Sequence, residues 1–274
     1  MPNIESPRRV AAPNSDTKRE SGPTVRLTAS AILFLLLVAC GGGSSPTPSG
    51  QPLPALPDVD ALPAYEVIGS GPVVVVLAMD MQETLYNSPT TDTIVPRLLS
   101  AGYSVISLDL PCHGADADPG AQPLDCWAQR IAAGNRDIFL NFCSGLFGVL
   151  DQLHASTVAM VGVSRGAYVA ITCAAYDERF RDLALEIPLT DLNYLTEFKS
   201  VPVDDQVFGI DQYVPYISNR NSLVRIGKDD TRVGTSLAVA FAQKVGATLE
   251  LTDAAGHDIA EDGSTIIWLQ AHPF

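Results

Sequence analysis

The chain has 274 residues, 46% of them hydrophobic and 18% charged, and a formal net charge of −14 at neutral pH. So acidic a body repels phosphate backbones, which sets nucleic acid aside as a partner. The length suits one domain behind a short leader, and none of the five cysteines forms a C-x-x-C, so neither a redox dithiol nor a zinc knuckle is indicated.

At the N-terminus Arg8, Arg9, Lys18, Arg19 and Arg26 precede the apolar run Leu27–Ala39. That run is too short for a comfortable membrane span and reads as the core of an export signal. It ends in Leu37-Val38-Ala39-Cys40 followed by Gly-Gly-Gly-Ser-Ser, which resembles the lipobox of bacterial lipoprotein signal peptides. The resemblance implies a signal peptide over 1–39 and a lipid on Cys40, which becomes the new N-terminus. Arg8-Arg9 sits too far from the apolar run to act as a twin-arginine signal. Gly41 is not the aspartate that retains many such lipoproteins in the inner membrane. By that analogy the protein is exported and anchored to a bacterial membrane, with the outer membrane favoured, facing the periplasm, or at the cell surface.

Residues 40–63 are rich in Gly, Ser and Pro and read as a tether, so the folded domain is expected over 64–274. The leader holds five basic and three acidic residues, which leaves the remainder at −16. Contact with a membrane therefore falls to the lipid and not to a basic patch. Cys112, Cys126, Cys143 and Cys173 would meet an oxidising compartment, where four cysteines allow three full pairings. Cys173, in an alanine-rich helix, also fits a buried unpaired thiol.

From Pro72 strands and helices alternate. A continuous β-branched run predicts a buried strand at Pro72–Ala78, and further strands are read at Tyr103–Leu108, Thr157–Val163, Leu183–Ile187, Leu223–Ile226 and Thr248–Leu251. Helical spacing covers Thr91–Ala101, a long region from Pro123 to about Leu153, Arg165–Tyr176, Thr235–Val245 and Ile259–Gln270. Such alternation implies a mostly parallel sheet with helices on both faces. Ligands of such sheets lie beyond the carboxyl ends of the strands.

The residues after those strands carry the chemistry. Gly162-Val163-Ser164-Arg165-Gly166 joins the third strand to a helix, and its small residues suit a tight turn that exposes a serine. Gly227-Lys228-Asp229-Asp230 follows the fifth strand, and Gly256-His257 follows the sixth. The order Ser, Asp, His matches an α/β-hydrolase arrangement. The chain thus resembles the α/β-hydrolase superfamily over Tyr65–Phe274, through GVSRGAYVAITCAAYDERF, LDLPCHG, the IPLTDL segment and IGKDDTRVGT. These motifs look like the compact hydrolases related to the prolyl-oligopeptidase and dienelactone-hydrolase groups. The resemblance implies an α/β-hydrolase fold with a small cap over Pro188–Ser222. It implies Ser164 as nucleophile, His257 as general base and Asp230 as the acid that orients it, with Asp229 and Asp191 as alternative acids. His113, His154 and His272 are less well placed.

An oxyanion hole needs two donors. Arg165 N–H is the first, because it follows the nucleophile. The second is expected from Met79–Glu83, where Met81 is chosen; the family's His-Gly pair is missing there and Asp80 occupies the turn. Asp116 and Asp118 lie in a loop that offers calcium ligands but no distal bidentate glutamate, so it reads as a solvated turn. Arg165 is expected to pair with Asp191, or else with a carboxylate of the substrate. Together these readings predict a serine hydrolase of carboxylic esters that acts on a small-molecule ester or acyl substrate without cofactor or metal. A peptidase of short peptides and a catalytically silent, lipid-anchored binding protein are the alternatives.

Overall fold

The computed structural model describes residues 52–59, 61–87, 91–260 and 262–274. The expected signal peptide over 1–39, Cys40 with its lipid, and the first part of the tether lie outside them.

Seven strands form one sheet: β1 (Tyr65–Gly69), β2 (Val73–Leu77), β3 (Ser104–Leu108), β4 (Val158–Val163), β5 (Phe180–Glu186), β6 (Asn221–Gly227) and β7 (Thr248–Thr252). Their order is β1-β3-β2-β4-β5-β6-β7. β1 runs antiparallel to β3, and the other neighbours are parallel. The helices are α1 (Ile94–Ser100), α2 (Pro123–Ala132), α3 (Ile138–Gln152), α4 (Arg165–Tyr176), α5 (Asp205–Phe208), α6 (Val214–Ile217), α7 (Thr235–Val245) and α8 (Ser264–Ala271). None among the described residues is long and apolar enough to cross a membrane.

The two faces of the sheet fill separate cores because side chains alternate along a strand. Val75 and Leu77 of β2 join Trp127 of α2, Leu146 of α3, Tyr168 of α4 and Phe241 of α7. Val74 and Val76 face the other way, towards Val95 and Leu98 of α1 and Trp268 and Leu269 of α8. Burial on both faces explains why β2 is a run of valines with no polar alternation.

The structure corrects several boundaries. β1 was not expected as a strand. The long helix after Pro123 is two helices, divided at Gly134, whose φ is +89°. The last helix begins at Ser264, after Gly263 at φ +78°. Packing also starts before Ala64: Leu53 and Leu56 lie against the core, and Ser144 Oγ donates to Pro57 O at 2.7 Å.

The insert between β5 and β6 is made of short turns plus α5 and α6. Leu192, Leu195, Phe198, Phe208, Ile210, Tyr213 and Ile217 bury its inner side in the first core. Cys112 is bonded to Cys126, and Cys143 to Cys173, so the second bridge ties α3 to α4.

Candidate active site

Ser164 stands between β4 and α4 with φ 52° and ψ −115°. This is a costly backbone conformation for a residue with a Cβ, and it persists where surrounding structure enforces it. Two glycines make the turn possible. A Cβ on Gly166 would lie 2.0 Å from Leu77 O, and one on Gly162 would lie 2.5 Å from Ala167 Cα. The turn is tied to the neighbouring strand, with Ser164 N donating to Glu186 O at 2.9 Å and Leu189 N to Ser164 O at 3.1 Å.

Ser164 Oγ lies 2.8 Å from His257 Nε2, and His257 Nδ1 lies 2.8 Å from Asp230 Oδ2. A carboxylate accepts, so Nδ1 holds the proton and Nε2 offers its lone pair to the serine hydroxyl. The Asp230 side chain is fully buried, while His257 is about a quarter exposed at 27%. Backbone donors meet Asp230's other oxygen: Arg232 N at 2.8 Å and Val233 N at 3.1 Å. The carboxylate is thus desolvated but satisfied.

Of the three acids read from the sequence, Asp230 is the one in contact with His257. Asp229 accepts from Gly256 N at 3.0 Å and so secures the loop that carries the histidine. Asp191 caps a short turn by accepting from Asn193 N at 2.8 Å. Among the histidines set aside, His272 contacts Trp268 O through Nδ1. His154 follows α3.

The loop after β2 differs from the expectation. Met81 N–H, chosen as the second oxyanion donor, donates to Asp109 Oδ1 at 2.8 Å and is engaged there. Met79 N–H donates to Thr84 Oγ1 at 3.1 Å, and Glu83 N–H to Asp80 Oδ1 at 2.7 Å. Asp80 is therefore occupied in capping its own turn. Arg165 N–H opens α4, where a backbone donor has no intrahelical acceptor.

The expected Arg165–Asp191 ion pair is not formed. Arg165 Nη1 instead lies 3.2 Å from His113 Nε2. His113, read from the sequence as a loop histidine, is buried at 5% exposure with Nδ1 2.9 Å from Pro111 O. The acidic turn near Asp116 is closed by Arg130, which binds Asp116 Oδ2 at 2.7 Å and Asp118 Oδ1 at 3.0 Å. Those carboxylates already have a cation.

Sequence reasoning missed the polar cluster beneath this edge. Arg225 of β6, 2% exposed, binds Glu186 at 3.0 Å, Glu250 at 2.7 Å and Asp262 at 2.6 Å. Burial alone would lower the Arg225 pKa, but these carboxylates outweigh it and hold the cation above its ordinary value. A charged residue inside each of two apolar strand runs, Glu186 and Arg225, was the available signal.

No family model matches this sequence, and no curated protein matches it. Solved structures do match, at low identity. The esterase Pf2001 of Pyrococcus furiosus is 18% identical with a TM-score of 0.54, over 74% of this chain and 84% of its own. An α/β hydrolase from the sediment metagenome of the Mar Chica lagoon is 14% identical, with a TM-score of 0.52 over 77% and 95% of the two chains. Acetyl xylan esterase 1 of a Thermoanaerobacterium is 17% identical, with a TM-score of 0.52 over 75% and 77%. Bromoperoxidases are also among the matches. At these identities the likeness is one of fold: the chain has the α/β-hydrolase fold.

Proposed function

We propose that this protein is a serine hydrolase that cleaves a carboxylic ester through an acyl-enzyme on Ser164. The observation that carries the reading is the pair of 2.8 Å contacts, Ser164 Oγ to His257 Nε2 and His257 Nδ1 to Asp230 Oδ2, at a strained strand-to-helix turn. His257 removes the hydroxyl proton as Oγ attacks the ester carbonyl, and Asp230 stabilises the imidazolium. The same proton passes to the leaving alkoxide, which departs as the alcohol. Water, deprotonated by His257, then attacks the acyl-enzyme, and the imidazolium returns that proton to Ser164 Oγ as the acid leaves. Arg165 N–H and the amino end of α4 face the developing oxyanion and supply its assigned donor.

An ester is preferred over a peptide because esterases recur among the structural neighbours. The two disulfides support an exported protein, and the Cys40 motif favours anchoring through a lipid on that residue. The test is turnover of short-chain aryl esters by the purified protein. Ser164→Ala is expected to abolish it, and Asp230→Asn to lower kcat by about 10³–10⁴-fold. Unchanged turnover in Ser164→Ala would refute the reading.

A further inference from the structure

The side chain of Arg165, beside Ser164, has an unmet capacity for an anion. Four loops surround it. His113 follows β3, Glu83 follows β2, Glu197 lies in the insert after β5, and Arg232 follows β6. They converge at the carboxyl edge of the sheet, the ligand crevice of such folds.

The carboxylates around Arg165 act from a distance and none forms an ion pair with it. A carbonyl oxygen only accepts, so the contact with Pro111 O places the His113 proton on Nδ1. Nε2 then meets the guanidinium as a neutral acceptor. Burial lowers the His113 pKa, which agrees with an uncharged ring. Among the described residues, no carboxylate oxygen lies within 4.0 Å of the Arg165 guanidinium nitrogens. Arg130, Arg179, Arg225 and Arg232 each have such a partner. Glu197 is taken by Arg232, through contacts to both of its oxygens. Burial and then the like charge of Arg232 weigh against the Arg165 cation, and Glu83 and Glu197 favour it from a distance without forming an ion pair with it. A guanidinium offers five donors in a planar fork, and among the described residues this one has a single neutral acceptor.

Resting on the hydrolase reading, we propose that Arg165 is a specificity-determining residue and that the preferred esters carry a second, ionised carboxylate. That group would bind the guanidinium in bidentate fashion beside Ser164. The acidic surface does not oppose this, because its field is screened over about 8 Å at physiological salt, whereas a contact in a part-buried site is not.

The experiment measures kcat/KM for matched ester pairs. One pair carries the charge in the acyl half: the 4-nitrophenyl hemiester of adipic acid and its neutral methyl ester. The other carries it in the alcohol half: the butyrate ester of 4-hydroxybenzoic acid and that of its methyl ester. The expected result is a preference of about tenfold or more for the anion in one of the pairs, which identifies the half that binds. In Arg165→Gln the preference should collapse towards one, and in Arg165→Lys it should survive in part, since lysine keeps the charge without the fork. Reading the ratio cancels any general loss of rate, and melting temperatures check that both variants fold. Turnover without preference for either anion would overturn this inference and leave the hydrolase reading intact. A preference that persists in Arg165→Gln would overturn the role of Arg165. No turnover of any of the four esters would overturn both.

Discussion

Ser164 holds a conformation that its side chain does not favour, and this has a measurable consequence. Replacing it with alanine keeps the Cβ and the strain, whereas glycine tolerates φ 52°. The conformation costs on the order of 1–3 kcal/mol for a residue with a Cβ, against roughly 0.5–1 kcal/mol for the extra freedom of glycine in the unfolded chain. Ser164→Gly should therefore be more stable than Ser164→Ala by about 1 kcal/mol in urea denaturation. Equal midpoints would mean that the strain only matches the glycine penalty, and a more stable Ser164→Ala would mean that the turn stores no strain. The residues of the candidate site were legible one at a time because each follows a strand and has a chemically distinctive type. The choice between Asp229 and Asp230 was not. Adjacent turn residues share the same context, and their side chains diverge only once the loop is built: one reaches Gly256 N and the other His257 Nδ1. Nor was the engagement of Met81 N–H by Asp109 readable, since it joins loops 28 positions apart.

Among the elements, β2, β3 and β4 were the plainest, because they are buried on both faces and read as runs without a charged residue. β1 has an edge position and mixes exposed with half-buried residues, so it left no such run. α2 and α3 merged in the sequence reading because apolar spacing continues on either side of Gly134, and the turn between them was outweighed. The Arg225 cluster makes a prediction at this scale. It joins β5, β6 and β7 to the segment leading into α8, just beyond His257. Thr265 Oγ also donates to Glu186 there. Arg225→Met would leave Glu186 buried with no cation, at a cost of about 3–5 kcal/mol. Adding Glu186→Met should recover much of that loss, because the orphaned charge is then gone. Urea midpoints for the two variants test this; a double variant as unstable as Arg225→Met would contradict it.

At the scale of the whole molecule, the alternation of strands and helices was enough to give a mostly parallel sheet, and the topology puts Ser164, Asp230 and His257 on loops at one edge of it. The insert after β5 is bound to the first core through seven buried side chains, so the crevice is bordered by a packed wall. Its length was visible in the sequence, but its packing depends on partners in α2, α4 and α7 that only the fold brings near. The same holds for the two disulfides, since four cysteines allow three pairings and the structure realises one of them. The central claim is that Ser164 is an activated nucleophile. The most direct measurement exposes the folded protein and its Ser164→Ala variant to a fluorophosphonate and locates the adduct by mass spectrometry. One adduct is expected, on Ser164, and none in the variant. A folded protein that takes no label, or takes it elsewhere, would contradict it.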